Sequence, residues 1–191
     1  MNLHDLVLRN RSYRRFDNGF QIQHETLLEL VDLARLSASG RNMQSLRYIL
    51  SYTVERNELI FPCLAWAGYL KDWPGPDPHE RPTAYLVMLN DTEISTNYFW
   101  DHGIAVQSIL LGAVEKGLGG CIIASVKKEQ LRQVLSIHEK YEIIQVIALG
   151  KPVEKVVVEP LAANGDIKYW RDSNKVHHVP KRSLRDLIIE M

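Results

Sequence analysis

Only two cysteines occur, Cys63 and Cys121, and they stand far apart without a CxxC spacing, so neither a disulfide framework nor a cysteine-held zinc site can be built from them. A reducing compartment fits that usage. Net charge is also missing, because 23 Lys plus Arg balance 23 Asp plus Glu, which removes the bulk electrostatic case for nucleic acid as a partner. No apolar run approaches the ~18 residues that cross a bilayer. Met1-Asn2-Leu3-His4-Asp5 lacks the basic and apolar regions of a secretion signal, so a cytoplasmic protein with no membrane partner is expected. Repeats of solenoid length and low-complexity tracts are absent as well. Several catalytic signatures fail. Gly117-Leu118-Gly119-Gly120 follows a helical pattern, whereas a dinucleotide fingerprint must follow a strand, and Gly150-Lys151 lacks the upstream glycine of a P-loop. Asp101-His102 has no Gly-x-Ser-x-Gly elbow beside it. His79, His102, His138 and His177-His178 do not match zinc-helix spacing, and no metal is expected.

What is present is one domain's worth of alternating elements. The 191 residues, 46% hydrophobic, fit a single domain over 1–191 with one sizeable core. Leu3, Leu6 and Val7 mark a short helix, and Leu27, Leu30, Val31, Ala34 and Ala38 carry helical spacing from His24 to Ala38. Tyr48 to Val54 reads as a strand, and Asn57 as the cap of a short helix toward Trp66. Gly68 to Pro82 holds four of the eight prolines and reads as a loop. Ala84 to Asn90 is a buried strand. A long helix spans Asn97 to Lys116, with Ile104, Ser108, Leu111 and Val114 expected inside and small residues allowing close packing. Cys121 to Ala124 reads as a strand, Lys127 to Leu135 as a helix and Ile143 to Leu149 as a buried strand. Residues 153–182 show little periodicity and read as an arm packing on a partner subunit, within a C-terminal arm over 152–191. Ser183 to Ile189 fits a helix or an edge strand equally. The order implies an α+β sheet flanked by helices.

The neutral total hides two basic clusters. Arg9, Arg11, Arg14 and Arg15 place four guanidinium groups in seven residues, and such forks match phosphate oxygens in bidentate geometry. Taken alone this reads as a solvated basic face. Lys175, His177, His178, Lys181 and Arg182 form a second cluster near the other end, and the two can close on one anion if the termini meet. Ser39-Gly40-Arg41-Asn42-Met43-Gln44 adds two carboxamides, whose donors and acceptors suit the rim of a heteroaromatic ring.

Together these segments resemble the nitroreductase family of FMN-dependent oxidoreductases, in its short single-domain form. Asn10-Arg11-Ser12-Tyr13-Arg14-Arg15-Phe16 is similar to the family's Arg-Arg-Ser-x-Arg-x-Phe motif for the FMN phosphate and ribityl chain, with Asn10 in place of the first arginine. Ala38-Ser39-Gly40-Arg41-Asn42-Met43-Gln44-Ser45-Leu46 resembles the second motif, Pro-Ser-x-x-Asn-x-Gln-Pro-Trp. Gly119-Gly120-Cys121-Ile122-Ile123-Ala124-Ser125 looks like the strand whose backbone amides face the flavin, and Pro180-Lys181-Arg182 like the C-terminal Pro-Lys-x-Arg clamp. The resemblance implies a mixed, mainly antiparallel sheet with a C-terminal arm exchanged across a homodimer. It implies an FMN site built from Arg11, Ser12, Arg14, Arg15, Ser39, Gly40, Asn42, Gln44, Gly120, Cys121, Ile123, Ala124, Lys181 and Arg182.

The activity so implied passes two electrons from NADH or NADPH through the flavin to a nitroaromatic, a quinone or a similar small acceptor by a ping-pong mechanism. The cofactor carries the hard chemistry, so no side chain is assigned as catalytic. Tyr69, Trp73 and Trp66 are candidates for a substrate wall, with a plain surface loop as the other reading. Alternatives are a specialised branch such as dehalogenation or flavin fragmentation, a non-catalytic flavin sensor, and a dimeric scaffold with coincidental basic ends.

Overall fold

A computed structural model describes residues 1–190. A four-stranded sheet lies at its centre in the order β1 (Leu46–Ser51), β2 (Ala84–Asp91), β4 (Tyr141–Gly150), β3 (Gly119–Ile123), with every neighbouring pair antiparallel. The central strand β2 is buried along its whole length, which is why its sequence is a continuous apolar run rather than an alternation. Its side chains still alternate between two cores. Ala84, Leu86 and Met88 join the helices α2 (His24–Leu36) and α4 (Asp101–Glu115) on one face. Tyr85, Val87 and Leu89 pack with Ile60 of α3 (Val54–Ile60) and Leu131 of α5 (Lys128–Leu135) on the other. The remaining helix, α1 (Leu3–Arg9), is capped by Asn2, whose Oδ1 accepts the Asp5 N–H at 2.9 Å.

Several sequence expectations shift by a turn. The first strand begins at Leu46, not Tyr48, and ends at Ser51, because Thr53 caps α3 immediately afterwards and accepts the Arg56 N–H. Asn57 therefore lies inside α3. Its amide accepts from Ser51 Oγ at 2.8 Å and donates to the Thr83 carbonyl at 2.8 Å, tying the helix to the sheet. Pro62 is accommodated near the start of a 3₁₀ turn, Phe61–Cys63, where it has no helical hydrogen bond to remove. The long helix begins at Asp101, and its buried face is Ala105, Val106, Ile109, Leu110, Gly112, Ala113 and Val114. Ile104 is exposed and Ser108 and Leu111 are only partly covered, so the buried stripe is rotated from the expected one. Close packing is real at one small residue. A Cβ on Gly112 would lie 2.3 Å from Leu33 Cδ1, so glycine lets α2 and α4 meet.

Residues 153–182 are not structureless. They contain β5 (Val156–Pro160), β6 (Trp170–Arg171) and β7 (His177–Lys181), in a small sheet of order β5-β7-β6 with one parallel and one antiparallel pairing. The segment is tied to its own chain just before the sheet, where Val153 N–H donates to Arg15 O, Phe16 bridges Pro152 and Glu154 accepts the Arg14 N–H, and within it, where His177 Nε2 lies 3.3 Å from Arg14 Nη1 and the Arg171 guanidinium lies over the Trp73 ring. Polar and aromatic contacts do the holding, which is why hydrophobic periodicity missed it. The segment after Lys181 is neither a full helix nor an edge strand but a 3₁₀ turn at Arg185–Leu187. No helix among the described residues is long and apolar enough to cross a membrane.

Candidate functional site

The N-terminal motif runs beside β3 and joins it at one point. Ser12 forms a parallel bridge with Gly120, and the Tyr13 N–H donates to Gly120 O at 3.0 Å. Only glycine fits at 120, since a Cβ there would sit 2.6 Å from Ala148 O and 2.7 Å from Leu110. Phe16, fully buried, anchors the far end of the segment at a gain of about 1.5–3 kcal/mol for such a side chain. Between the Ser12–Gly120 bridge and the one Phe16 makes with Pro152, residues 13–15 follow no regular strand, and their course sends Arg14 and Arg15 to different places.

Arg11 and Arg14 line a cleft of about 290 Å³, with Ser12, Gln107 and Leu110 of α4, Gly120 and Ile122 of β3, and Tyr169, His177, Val179 and Lys181 from the C-terminal sheet. Arg15 turns away and forms a two-pronged ion pair with Glu80, with Nε to Oε2 at 2.6 Å. That hydrogen bond holds the Glu80 carboxyl below its ordinary range and raises the guanidinium further. The cleft lacks Arg15.

Arg11 Nη2 donates to Val7 O at 2.8 Å, while its Nε is buried without a partner among the described residues. Arg14 Nη1 donates to Ser12 O at 3.1 Å and lies 3.3 Å from His177 Nε2, with the Tyr169 ring 4.8 Å from the guanidinium carbon. Glu154, its side chain fully buried, accepts from the Arg14 backbone and from Arg171 Nη2 at 3.2 Å. Burial, then the Arg14 and Arg171 cations, push the His177 pKa down to about 4, so its ring is neutral at pH 7 and can accept the Arg14 proton. His177 Nδ1 is a second buried atom without a partner. Lys181 reaches the same cleft from β7 and forms no ion pair with a described residue. The two basic clusters thus meet within one chain. Arg182 does not join them, bordering instead a separate surface groove with Val158, Pro160 and Asp186.

Strand β3 divides its residues by parity. Gly120 and Ile122 face the cleft, whereas Cys121 and Ile123 point into the second core. Burial pushes the Cys121 thiol up in pKa, which keeps it protonated and inert. Ala124 lies exposed just past the strand. Ile122, Gln107, Leu110, Tyr169 and Val179 were not singled out from the sequence as site residues, whereas His177 belongs to the second basic cluster read there. The glycine at 120 followed by an apolar residue at i+2 on an edge strand could have marked Ile122, whereas nothing periodic marks Tyr169.

The second motif occupies a different place. Ser39 Oγ donates to Asp101 Oδ2 at 2.6 Å, Gly40 N–H to Asp101 Oδ1 at 2.7 Å, and Gln44 N–H to Ser39 Oγ at 2.9 Å. Asp101 opens α4, so its carboxylate clamps the 39–44 turn to that helix end. Arg41, Asn42 and Gln44 are held at positive φ (53°, 56° and 53°), a cost of order 1–3 kcal/mol each that the clamp must offset. Asn42 and Gln44 project outward and are exposed. Ser39 and Gln44 border a second cleft of about 260 Å³, with Tyr48, Asp101 and Ala105. Burial pushes the Tyr48 phenol up to about 12, with Asp101 adding to it. Within one chain this cleft lies at the Asp101 end of α4 and the cationic cleft at Gln107 and Leu110.

Comparison with known proteins places this arrangement. The profile of the Nitroreductase family matches residues 7–151, and the chain belongs to that family. A curated relative named "Putative NAD(P)H nitroreductase YodC", from Bacillus subtilis (strain 168), is 23% identical over 190 residues, covering 80% of this chain and 91% of the relative. Among solved structures, an FMN-dependent nitroreductase from Clostridium difficile R20291 matches with a TM-score of 0.66 at 22% identity, covering 80% of this chain and 89% of that one. An NADPH:FMN oxidoreductase from Vibrio harveyi, solved with NAD+, matches with a TM-score of 0.65 at 22% identity over 84% and 74% of the two chains. The α+β architecture with its antiparallel sheet is the fold of these structures.

Proposed function

We propose that the protein is an FMN-dependent oxidoreductase that draws two electrons from NADH or NADPH and delivers them to a small organic acceptor such as a nitroaromatic or a quinone, in ping-pong order. The observation that carries this reading is the cationic cleft at the β3 edge, in a chain of this family. FMN joins a phosphate, a polyhydroxylated chain and a flat ring, and the cleft offers each a counterpart. Arg11, Arg14 and Lys181 supply cations, Ser12 a hydroxyl, and Arg11 Nε a buried donor without a partner; Leu110, Ile122 and Val179 supply apolar wall. Neutral His177 holds Arg14 in place. When bound, FMN supplies the two-electron carrier, and the protein's part is to bind it, orient it and exclude water.

The 39–44 turn completes the site from a second copy in this reading. Gly103, Ile104 and Gln107 form an exposed stripe on α4 between the two clefts, and a two-fold pairing along it would set the turn of one copy beside the cationic cleft of the other. Ser39, Gly40, Asn42 and Gln44 then reach the flavin across a homodimer interface. A cytoplasmic location belongs to the same reading, on the ground that Cys63 and Cys121 are both free and buried. Steady-state oxidation of NADH and NADPH with a nitroaromatic and a quinone tests the activity: turnover supports it, and stoichiometric flavin that is never reduced would make the protein a flavin-binding sensor instead.

A further inference from the structure

Two clefts in this structure each contain a pair of buried polar atoms without a partner among the described residues. One is the cationic cleft, with Arg11 Nε and His177 Nδ1. The other lies on the α3 side of the sheet, encloses about 210 Å³, and contains Arg81 Nε and Thr83 Oγ1. Nothing in the proposed electron transfer uses it.

The second cleft is built rather than incidental. Thr83 is 1% exposed, its N–H donates to Leu149 O at 3.1 Å and its carbonyl accepts the Asn57 amide, so the hydroxyl alone is left over. The Arg81 guanidinium lies over the Phe61 ring, 4.0 Å from its centroid, and makes no ion pair with any described acid. A guanidinium has its hydrogens in its own plane, and the group that meets its edge bidentately is a planar carboxylate. The hydroxyl of Thr83 offers a further donor within the same walls. The volume is below the ~300–1,000 Å³ of pockets for drug-sized ligands, so the ligand is small. Glu58, exposed on the rim, opposes a second negative charge and would accept an ammonium group.

We propose that the cleft between α3 and the 78–83 segment binds a small monocarboxylate, with Arg81 and Thr83 holding the carboxylate. Its floor connects to the N-terminal motif. Phe16 N–H donates to Glu80 O at 2.9 Å and Asn18 Nδ2 to Arg81 O at 3.2 Å, and Glu80 holds Arg15. A simple acid and a zwitterionic amino acid both carry this carboxylate, and the test separates them.

Propionate, alanine and inorganic phosphate are titrated into the full chain while backbone amide resonances are followed by NMR. Saturable shifts at residues 57, 81 and 83 with propionate or alanine are expected, weakened at least about tenfold in Arg81→Gln and in Thr83→Val. Propionate binding should tighten in Glu58→Gln. Tighter binding of alanine than of propionate assigns the zwitterion, and the reverse assigns the simple acid. Thr83→Val keeps the side chain's shape, so it carries the test if Arg81→Gln does not fold. The proposal is overturned if neither carboxylate saturates by tens of millimolar, if phosphate binds more tightly than both, or if both variants bind like the parent. FMN uptake by the same variants should equal that of the parent, which keeps failure here distinct from failure of the flavin reading.

Discussion

Adjacent side chains in this protein have opposite assignments, and the arginine pair at 14 and 15 is the clearest case. Arg15 is held by Glu80, whereas Arg14 lines the cationic cleft, where Arg11 retains a buried nitrogen without a partner among the described residues. Arg11→Ala should therefore weaken FMN binding by about 1.5–3 kcal/mol, the worth of a charge-assisted hydrogen bond. Arg15→Ala should leave FMN affinity near the parent value and lower stability instead; fluorescence titration and urea melts of both variants check the contrast. The histidines at 177 and 178 are divided in the same way. His177 is depressed to about 4 by burial and neighbouring cations, below its unfolded value of ~6.5. Its contribution is therefore complete above the unfolded pKa and is lost as pH falls from there toward about 4, by on the order of 2 kcal/mol. His178 is raised, chiefly by its hydrogen bond to Glu159, so its contribution is complete below the unfolded pKa and is lost as pH rises through the folded one. Urea denaturation from pH 7 to pH 4 should show the acid-side loss in the parent and a shallower one in His177→Gln. At this scale the sequence exposed which residues were charged but not which way each faced, because residues 13–15 lie outside any regular element and no period assigns their side chains a face.

Elements built on hydrophobic spacing were legible, and those built on polar anchoring were not. The apolar positions of α2 and β2 specify their type and burial directly, since Leu27, Leu30 and Leu86 are fully buried. The C-terminal sheet gave no such signal. Its strands are joined by the stacked Trp170 and His178 rings, 4.0 Å apart, and by the Trp170 Nε1 and His178 Nδ1 contacts to Glu159, none of which has a period. The shifted face of α4 has a related cause: Ile104 looks like core to any 3.6-residue count, yet it is 42% exposed. Where α4 meets α2 the constraint is steric. Gly112→Ala should change stability by no more than about 1 kcal/mol, because the new methyl group meets the free end of the half-exposed Leu33 side chain, which can turn aside, while alanine favours the helix; equilibrium unfolding checks it.

For the whole molecule, the two motifs that carry the family resemblance lie at different clefts of one chain, which makes a second copy part of the functional account. Placing a charge on the exposed helix face, Ile104→Glu, should break the proposed homodimer, shifting sedimentation from dimer to monomer and reducing FMN retention with it, while far-UV circular dichroism stays that of the parent. A folded monomer that holds flavin as well as the parent would separate the cleft from the dimer. Length and composition led to the expectation of a single domain, and the two basic clusters that the sequence sets apart do share one cleft; the pairing of copies enters only as what the resemblance implies, because no single-chain pattern encodes it. The central claim is that this cleft holds FMN and that nicotinamide delivers electrons to it. The most direct measurement is the visible spectrum of the purified full-length chain, recorded anaerobically before and after NADH or NADPH and again after a quinone. A yellow protein that bleaches with the nicotinamide and regains its colour with the quinone is the predicted result. A colourless protein that takes up no added FMN, or a yellow one that neither donor bleaches, would contradict it.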